Sequence, residues 1–341
     1  MAHRPVPGGC RGGEETKHLP GETNSMDART VKGDILDAIG DTPLVYLPKL
    51  SPKPEVNIYA KLEGHNPTGS VKDRIAKHMI ARAEADGSLT HDKTVLEPTS
   101  GNTGISLAMV CKVRGYKLKV VMPENVSPER SQILEAYGAE IFYSDGAGGS
   151  NHAITVAQGL NAESPGTYFM PYQYGNESNP LAHYETTGME ILEALPEVDT
   201  FVAGLGTGGT LMGVGRRLKE HNRNIQVIAV VPSPDDAIQG LRSLDDGLIP
   251  PILDTSLLDS RIRIEGKEAF ATTRYLLEKE GIFSGISSGS VIAGALRIAE
   301  RMDHGNIVCL LADGGWKYLS TNLWTTEYGE MESQVKGKIW W

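Results

Sequence analysis

The residues that could do chemistry are concentrated in four short segments, and the richest in glycine is residues 201–210, FVAGLGTGGT. This segment passes from an apolar run into a helical pattern, so its backbone N–H groups can close around an anion. The helix dipole and the hydroxyls of Thr207 and Thr210 add to that attraction. The spacing is neither a dinucleotide-binding GxGxxG nor a P-loop. It predicts a phosphate site without the marks of NAD or ATP, and a tight turn without a ligand is the alternative.

Two further segments also turn into helices through small polar residues. Residues 97–104, EPTSGNTG, are dense in hydroxyl and amide donors, which suits a carboxylate held at a helix N-terminus. An ordinary capped helix start uses the same residues and is the alternative. Residues 281–290, GIFSGISSGS, form another turn of small residues into a helix.

The fourth segment, residues 66–74 (NPTGSVKDR), places Lys72 at the predicted start of a helix. A lysine there is close to the positive end of the helix dipole and partly desolvated, so its pKa is lowered and it becomes a competent amine nucleophile. A lone lysine is more often a solvated surface charge. Together with the predicted phosphate and carboxylate sites, however, Lys72 indicates pyridoxal phosphate, a cofactor that a lysine can hold covalently.

Short apolar runs alternate with helical patterns from residue 56 onward, and these elements must position the four segments. The apolar runs are typical of strands buried on both faces; they cover residues 56–60, 94–97, 118–122, 140–143, 168–171, 201–203, 226–231 and 307–311. The helical patterns cover residues 72–86, 104–113, 127–137, 153–160, 182–195, 210–221, 267–279 and 290–302. The alternation predicts an α/β fold with a mostly parallel sheet flanked by helices. Ligands of such sheets bind beyond the carboxyl ends of the strands, so we expect the segments to meet there.

The chain of 341 residues has 33 Lys+Arg and 43 Asp+Glu, a formal net charge of -10. This balance gives no electrostatic reason to bind nucleic acid or an anionic membrane. No apolar run approaches the roughly 20 residues of a membrane span, and the N-terminus lacks a signal-peptide core. The cysteines at 10, 111 and 309 exclude a disulfide framework, and the nine histidines lack metal-ligand spacing. We therefore expect a cytoplasmic protein without a bound metal.

The four segments, in their order along the chain, resemble the β-family (fold type II) of pyridoxal-phosphate enzymes and, within it, the cysteine synthases. The resemblance runs from about Gly33 to the C-terminus. It includes residues 40–44 (GDTPL), where the family usually has Asn in place of Asp41, and residues 313–320 (DGGWKYLS). It implies two lobes, each with a central sheet: a larger cofactor-binding lobe of residues 26–71 and 174–325, and a smaller mobile lobe of residues 72–173. Residues 1–25 are expected to form a disordered leader.

The resemblance also implies roles for individual residues. Lys72 would hold the cofactor and move the substrate Cα proton, Asn102 would contact the ring hydroxyl oxygen, and Ser287 would face the pyridine nitrogen. The cofactor phosphate would be bound by Gly206, Thr207, Gly208, Gly209 and Thr210. The substrate carboxylate would be held by Thr99, Ser100, Thr103 and Gln173.

Ser287 has a consequence for the type of reaction. A neutral hydroxyl stabilises a positively charged pyridine ring less than a carboxylate does, so the cofactor is a poorer electron sink. This disfavours transamination and racemisation and suits β-elimination through an α-aminoacrylate, to which a sulfur nucleophile adds. The resemblance thus implies a transferase that makes L-cysteine by β-replacement, with ping-pong kinetics.

The nearest resemblance within the family is to the actinobacterial O-phosphoserine sulfhydrylases, and it is carried by residues 104–109, 172–176 and 210–213. Arg242 corresponds to the arginine that contacts the substrate phosphate in that group, although residues 232–240 before it match poorly. A guanidinium can bind a phosphate bidentately and has no comparable partner in an acetyl ester. O-phospho-L-serine is therefore the expected substrate, with O-acetyl-L-serine as the alternative. A surface arginine paired with Asp245 or Asp246 is the competing interpretation of Arg242.

The chain ends in two tryptophans, within a segment of residues 326–341. In the similar enzymes this tail covers the active-site mouth and leaves when a thiocarboxylated sulfur-carrier protein docks, and the family is typically homodimeric. Packing of the tail on the domain or on a dimer surface is the alternative.

Other functions share part of the pattern. Cystathionine β-synthase has the same first half-reaction, but we find neither its C-terminal domains nor a Cys-Pro haem motif; a diaminopropionate synthase is harder to separate. A Rossmann oxidoreductase would need GxGxxG with a downstream acidic residue. A non-catalytic paralogue would have no need for Lys72.

Overall fold

Two sheets of different size, both made mostly of parallel strands, carry the loops of interest. The computed structural model describes residues 31–329 apart from positions 100, 235, 237, 245–248 and 327, so the predicted leader and nearly all of the tail lie outside the described residues. By internal contacts the chain divides into Met1–Gly33 and Asp34–Trp341, and both sheets belong to the second unit. The described strands are β1 (Leu44–Tyr46), β2 (Val56–Leu62), β3 (Thr94–Pro98), β4 (Lys117–Pro123), β5 (Glu140–Ser144), β6 (Tyr168–Phe169), β7 (Thr200–Gly204), β8 (Gln226–Pro232), β9 (Ser260–Ile264) and β10 (Gly305–Leu311).

The larger sheet has the strand order β1-β2-β10-β7-β8-β9. Its strands are parallel except for β1, which runs antiparallel to β2. Successive residues of β7 pack into different clusters: Phe201 and Ala203 lie in one and Val202 in the other. A strand covered on both faces needs an unbroken apolar run, which is why β7 and β8 read as continuous hydrophobic sequence.

The smaller sheet has the order β5-β4-β3-β6, and all its pairings are parallel. Val95 and Val120 pack into a cluster on one face, while Leu96 and Val121 pack on the other. The strands of this sheet come from residues 94–169, within the predicted smaller lobe. The boundaries of the two lobes, and motion of the smaller one, stay a prediction.

Nine α-helices connect the described strands: α1 (Lys72–Ala85), α2 (Asn102–Arg114), α3 (Pro128–Tyr137), α4 (Gly149–Glu163), α5 (Ser178–Ala182), α6 (Gly188–Ala194), α7 (Gly209–His221), α8 (Gly266–Glu280) and α9 (Ile286–Ala299). Local chemistry explains where they begin and end. Helix α3 begins with Pro128, whose fixed φ suits the first helical position, and ends at Gly138, which has a φ of +83°. None of the described helices is both long enough and apolar enough to cross a bilayer.

The predicted alternation of strands and helices is confirmed, with three differences. Strands β1 and β9 were not predicted, because β1 has three residues and β9 reads Ser-Arg-Ile-Arg-Ile, which exposes its arginines at the sheet edge. The helix predicted over 182–195 begins earlier, with α5 at Ser178, and continues through a π-helical turn at His183–Thr187 into α6. The strand predicted over 168–171 is only two residues long.

Candidate active site

Two adjoining cavities lie where β3, β7 and β10 end and the loops after them begin. The smaller has a volume of about 60 Å³ and the larger about 90 Å³. Both are lined by Lys72, Asn102, Gly206, Thr207, Gly240, Leu241 and Tyr318. The predicted segments therefore meet beyond the carboxyl ends of the parallel strands, as the alternation of elements indicates.

Lys72 is the first residue of α1, and its side chain lines both cavities. Burial lowers the pKa of Lys72 to about 8, while the nearby Asp313 carboxylate acts in the opposite direction. The next residue, Asp73, fixes the start of the helix, since its carboxylate accepts hydrogen bonds from the Thr68 N–H at 2.7 Å and the Ser106 hydroxyl at 2.5 Å. The amine is thus held at a defined place with a neutral fraction at physiological pH.

The loop of residues 206–210 connects β7 to α7 and lines the smaller cavity. Gly208 has a φ of +88°, a left-handed conformation that favours glycine. A Cβ at Gly209 would lie 1.8 Å from Asn179 Oδ1, so a side chain there would require the Asn179 amide to move. The Thr207 hydroxyl accepts from Asn179 Nδ2 at 3.0 Å, and Thr210 Oγ1 lies 3.2 Å from His183 Nε2. This is a cradle of backbone and hydroxyl groups at a helix N-terminus, the arrangement that binds phosphate.

Asn102, the first residue of α2, is held from both sides. Its Nδ2 donates to Asp313 Oδ2 at 2.7 Å, and Lys317 Nζ donates to its Oδ1 at 2.7 Å. A lysine ammonium only donates, so it determines which way the amide faces. Ser287, in the first turn of α9, is buried and also lines the smaller cavity.

The residues predicted for the substrate carboxylate lie around the larger cavity. Thr99, Thr103 and Gln173 line it, and the Thr103 hydroxyl donates to Gln173 Oε1 at 2.7 Å. The Gln173 N–H donates to Glu97 Oε1 at 3.0 Å, and burial raises the pKa of Glu97 to about 8. The fourth residue of the prediction, Ser100, lies outside the described residues.

Arg242 is only 5% exposed and lines the larger cavity, so it is not a surface arginine. Its backbone N–H donates to Leu205 O at 2.7 Å, directly after β7, and its Nη1 donates to Asn151 Oδ1 at 3.0 Å. The guanidinium lies 5.3 Å from the centre of the Tyr174 ring. The acidic partners considered for Arg242, at positions 245 and 246, lie outside the described residues.

Several residues of the cavity walls were not predicted as site residues: Arg130, Ser150, Tyr174, Gln239 and Tyr318. Tyr174 and Tyr318 lie inside motifs that carry the family resemblance, so a signal for them existed. No sequence signal indicated Arg130, because an arginine in the first turn of a predicted helix normally faces solvent. In the structure this residue is only 2% exposed.

The residues present fit pyridoxal phosphate. The smaller cavity brings together an amine of lowered pKa at Lys72, the backbone cradle of residues 206–210 and the neutral hydroxyl of Ser287. These match the aldehyde, the phosphate and the pyridine nitrogen of that cofactor. The absence of a side chain at Gly208, which has a φ of +88° and lines the smaller cavity, leaves backbone exposed to an anion there.

The family model described as pyridoxal-phosphate dependent enzyme matches residues 35–313. The chain belongs to this family. A probable cysteine synthase of Bacillus subtilis is 43% identical over an alignment of 301 residues, which covers 85% of this chain and 96% of the relative. The solved cysteine synthase of Entamoeba histolytica has a TM-score of 0.83 at 35% identity and covers 94% of this chain and 99% of its own. A hydrogen sulfide-producing enzyme of Fusobacterium nucleatum has a TM-score of 0.81 at 42% identity, with 84% and 100% covered.

These similarities confirm three predictions for this pyridoxal-phosphate enzyme. The fold is that of type II, with sheets flanked by helices. The cofactor is pyridoxal phosphate. The chain is a cysteine synthase-type enzyme.

Proposed function

We propose that the chain makes L-cysteine from O-phospho-L-serine and a sulfide or thiocarboxylate donor. The observation that carries the choice of substrate is the buried guanidinium of Arg242 in the wall of the cavity that Thr103 and Gln173 also line. A buried positive charge needs an anionic partner, and a substrate phosphate supplies one where an acetyl ester does not.

Each of the proposed site residues has a separate role in β-replacement. Bound pyridoxal phosphate supplies the electron sink that allows bonds at the substrate Cα to break. Lys72, with a pKa of about 8, accepts the Cα proton and later returns it. The C–O bond at Cβ breaks with its electron pair leaving on the phosphate, and Arg242 stabilises the developing negative charge. Sulfur then bonds to Cβ. Thr99, Ser100, Thr103 and Gln173 hold the carboxylate throughout.

O-acetyl-L-serine is the second candidate substrate, because the groups proposed for the amino-acid carboxylate serve either ester equally. We further propose a homodimer, a tail of residues 326–341 over the active-site mouth, and a sulfur-carrier protein as donor. Light scattering of the full chain tests the homodimer. A measured mass near 36.8 kDa, the mass of one chain, would exclude it.

The decisive experiment gives the holoenzyme each ester with sulfide and quantifies cysteine together with phosphate or acetate. We expect equal amounts of cysteine and phosphate, and a higher kcat/KM for O-phosphoserine than for O-acetylserine. Cysteine formed from O-acetylserine alone would overturn the proposed substrate. Product formed only when homocysteine or an amine replaces sulfide would overturn cysteine synthesis in favour of a cystathionine or diaminopropionate synthase. Arg242→Lys, which keeps the charge but loses the bidentate geometry, serves as the matched variant.

A further inference from the structure

The surroundings of the Thr207 hydroxyl determine which way its hydrogen points. Asn179, in α5, is 1% exposed, and its Nδ2 donates to the Gln173 carbonyl oxygen at 2.8 Å. A carbonyl oxygen only accepts, so the nitrogen of the amide must be on that side. The same nitrogen lies 3.0 Å from Thr207 Oγ1, which therefore accepts from it.

Thr207 Oγ1 has a second donor, the Gly209 N–H at 3.3 Å. A hydroxyl has two acceptor positions and one hydrogen, and both of its acceptor positions are now occupied. The remaining group is the O–H hydrogen of Thr207, a residue that lines both cavities. With this environment, Thr207 can serve a ligand only as a donor, which is what a phosphate requires.

The oxygen of the Asn179 amide provides further evidence that the hydrogen bonds of the amide nitrogen are required. Asn179 Oδ1 is buried and has no hydrogen-bond partner among the described residues. An unsatisfied buried acceptor costs about 1–3 kcal/mol of stability. An apolar residue at position 179 would avoid this cost, so the hydrogen bonds of Asn179 Nδ2 explain why an asparagine is there. Glycine at position 209 leaves room for this arrangement, because a Cβ there would lie 1.8 Å from Asn179 Oδ1 and would displace the amide.

We propose that Asn179 is a positioning residue that makes Thr207 an obligate hydrogen-bond donor to the cofactor phosphate and ties this cradle to Gln173 on the substrate side. The link continues beyond Gln173, whose Oε1 accepts from the Thr103 hydroxyl at 2.7 Å. The proposal rests on the assignment of residues 206–210 as the phosphate cradle. It assigns Asn179 no contact with substrate or cofactor.

A double-mutant cycle on the full-length enzyme tests the proposal, with the dissociation constant of pyridoxal phosphate from equilibrium dialysis as the readout. Thr207→Val should raise this constant, and Asn179→Leu should raise it roughly 3- to 10-fold, the net worth of one hydrogen bond. The double variant should match Thr207→Val within about 2-fold, because Asn179 acts through the hydroxyl that Thr207→Val removes. Asn57→Leu, which removes the hydrogen bond that Asn57 Nδ2 donates to Asn306 Oδ1 on the larger sheet, is the control and should leave the constant unchanged.

Two outcomes separate the proposal from the assignment on which it rests. If Thr207→Val leaves cofactor affinity unchanged, the phosphate cradle itself is wrongly assigned. If Thr207→Val weakens binding but Asn179→Leu has the same effect in both backgrounds, the cradle stands and the positioning role is overturned. Should Asn179→Leu fail to fold, the isosteric Asn179→Asp carries the same cycle. Its carboxylate can no longer donate to the Gln173 carbonyl oxygen and accepts from the Thr207 hydroxyl instead. That turns the Thr207 hydrogen away from the cavity, so the ³¹P resonance of the bound cofactor should move as it does in Thr207→Val.

Discussion

The cofactor side of the active site and the substrate side are built differently. On the cofactor side, Thr207 and Asn102 each have two protein partners, and Gly209 has no room for a Cβ. On the substrate side, Arg242 is a buried cation that donates to the neutral Asn151 amide and lies against the Tyr174 ring. The groups of the first side are held in place by other protein groups, whereas the second contains a charge that a substrate anion would complement. Changes on the cofactor side should therefore affect cofactor binding and stability, and changes on the substrate side should discriminate between substrates.

Lys72 lies between the two sides, so its loss should have the largest effect. Lys72→Ala removes the amine that holds the cofactor and moves the Cα proton, and we expect cysteine formation to fall by roughly 10³-fold or more. Lys77→Ala is the matched control, because Lys77 is on the same helix and its Nζ donates to Leu36 O away from the cavities. Equal rates for Lys72→Ala and the control would remove Lys72 from the chemistry.

Arg242→Ala tests the substrate side alone. Breaking the pair between a buried guanidinium and a phosphate costs about 2–5 kcal/mol, so kcat/KM for O-phosphoserine should fall roughly 30-fold or more. The kcat/KM for O-acetylserine should change little. Arg297→Ala, which breaks an ion pair with Glu268 at the surface, is the control and should leave kcat/KM for both esters nearly unchanged. A uniform loss with both esters would show that Arg242 does not discriminate between them.

Gly209→Ala tests the cofactor side. The new Cβ would meet Asn179 Oδ1 at 1.8 Å, and such overpacking typically costs 1–3 kcal/mol, so we expect that loss in unfolding free energy together with weaker cofactor binding. Gly159→Ala in α4 is the control: a Cβ there meets nothing within 4 Å, and helix propensity predicts a gain of about 0.5–1 kcal/mol. The unfolding free energies of both variants can be measured by denaturant titration. A change in the same direction for both would contradict the comparison.

The pH dependence of cofactor capture should show the smallest effect. With a pKa of about 8, the amine of Lys72 is protonated below that pH and becomes nucleophilic above it. Capture of pyridoxal phosphate by the cofactor-free enzyme should therefore rise about tenfold between pH 7 and pH 9. Asp313→Asn removes the carboxylate that raises this pKa, so the midpoint should move lower. A midpoint near 10.5, the ordinary value for lysine, would contradict the desolvation of Lys72.

Sequence patterns predicted the features that depend on local order. Buried parallel strands read as continuous apolar runs, and the loops after them carry Lys72, Asn102 and the 206–210 cradle. What could not be predicted depends on contacts between distant segments. Arg130 reads as a solvent-facing helix residue until the fold places Tyr318 beside it, with the guanidinium 5.8 Å from the ring centre. The donors of Thr207 come partly from α5, 28 residues earlier, which no periodicity indicates.

One measurement tests the assignment of the site most directly, because a second buried lysine lies nearby. Burial also lowers the pKa of Lys317 to about 8, but its ammonium donates to Asn102 Oδ1 and it is not among the described residues that line the two cavities. Borohydride reduction of the holoenzyme followed by peptide mass spectrometry identifies the lysine that holds the cofactor. We predict a pyridoxyl group on Lys72 alone. A pyridoxyl group on Lys317, or on any other lysine, would contradict the account.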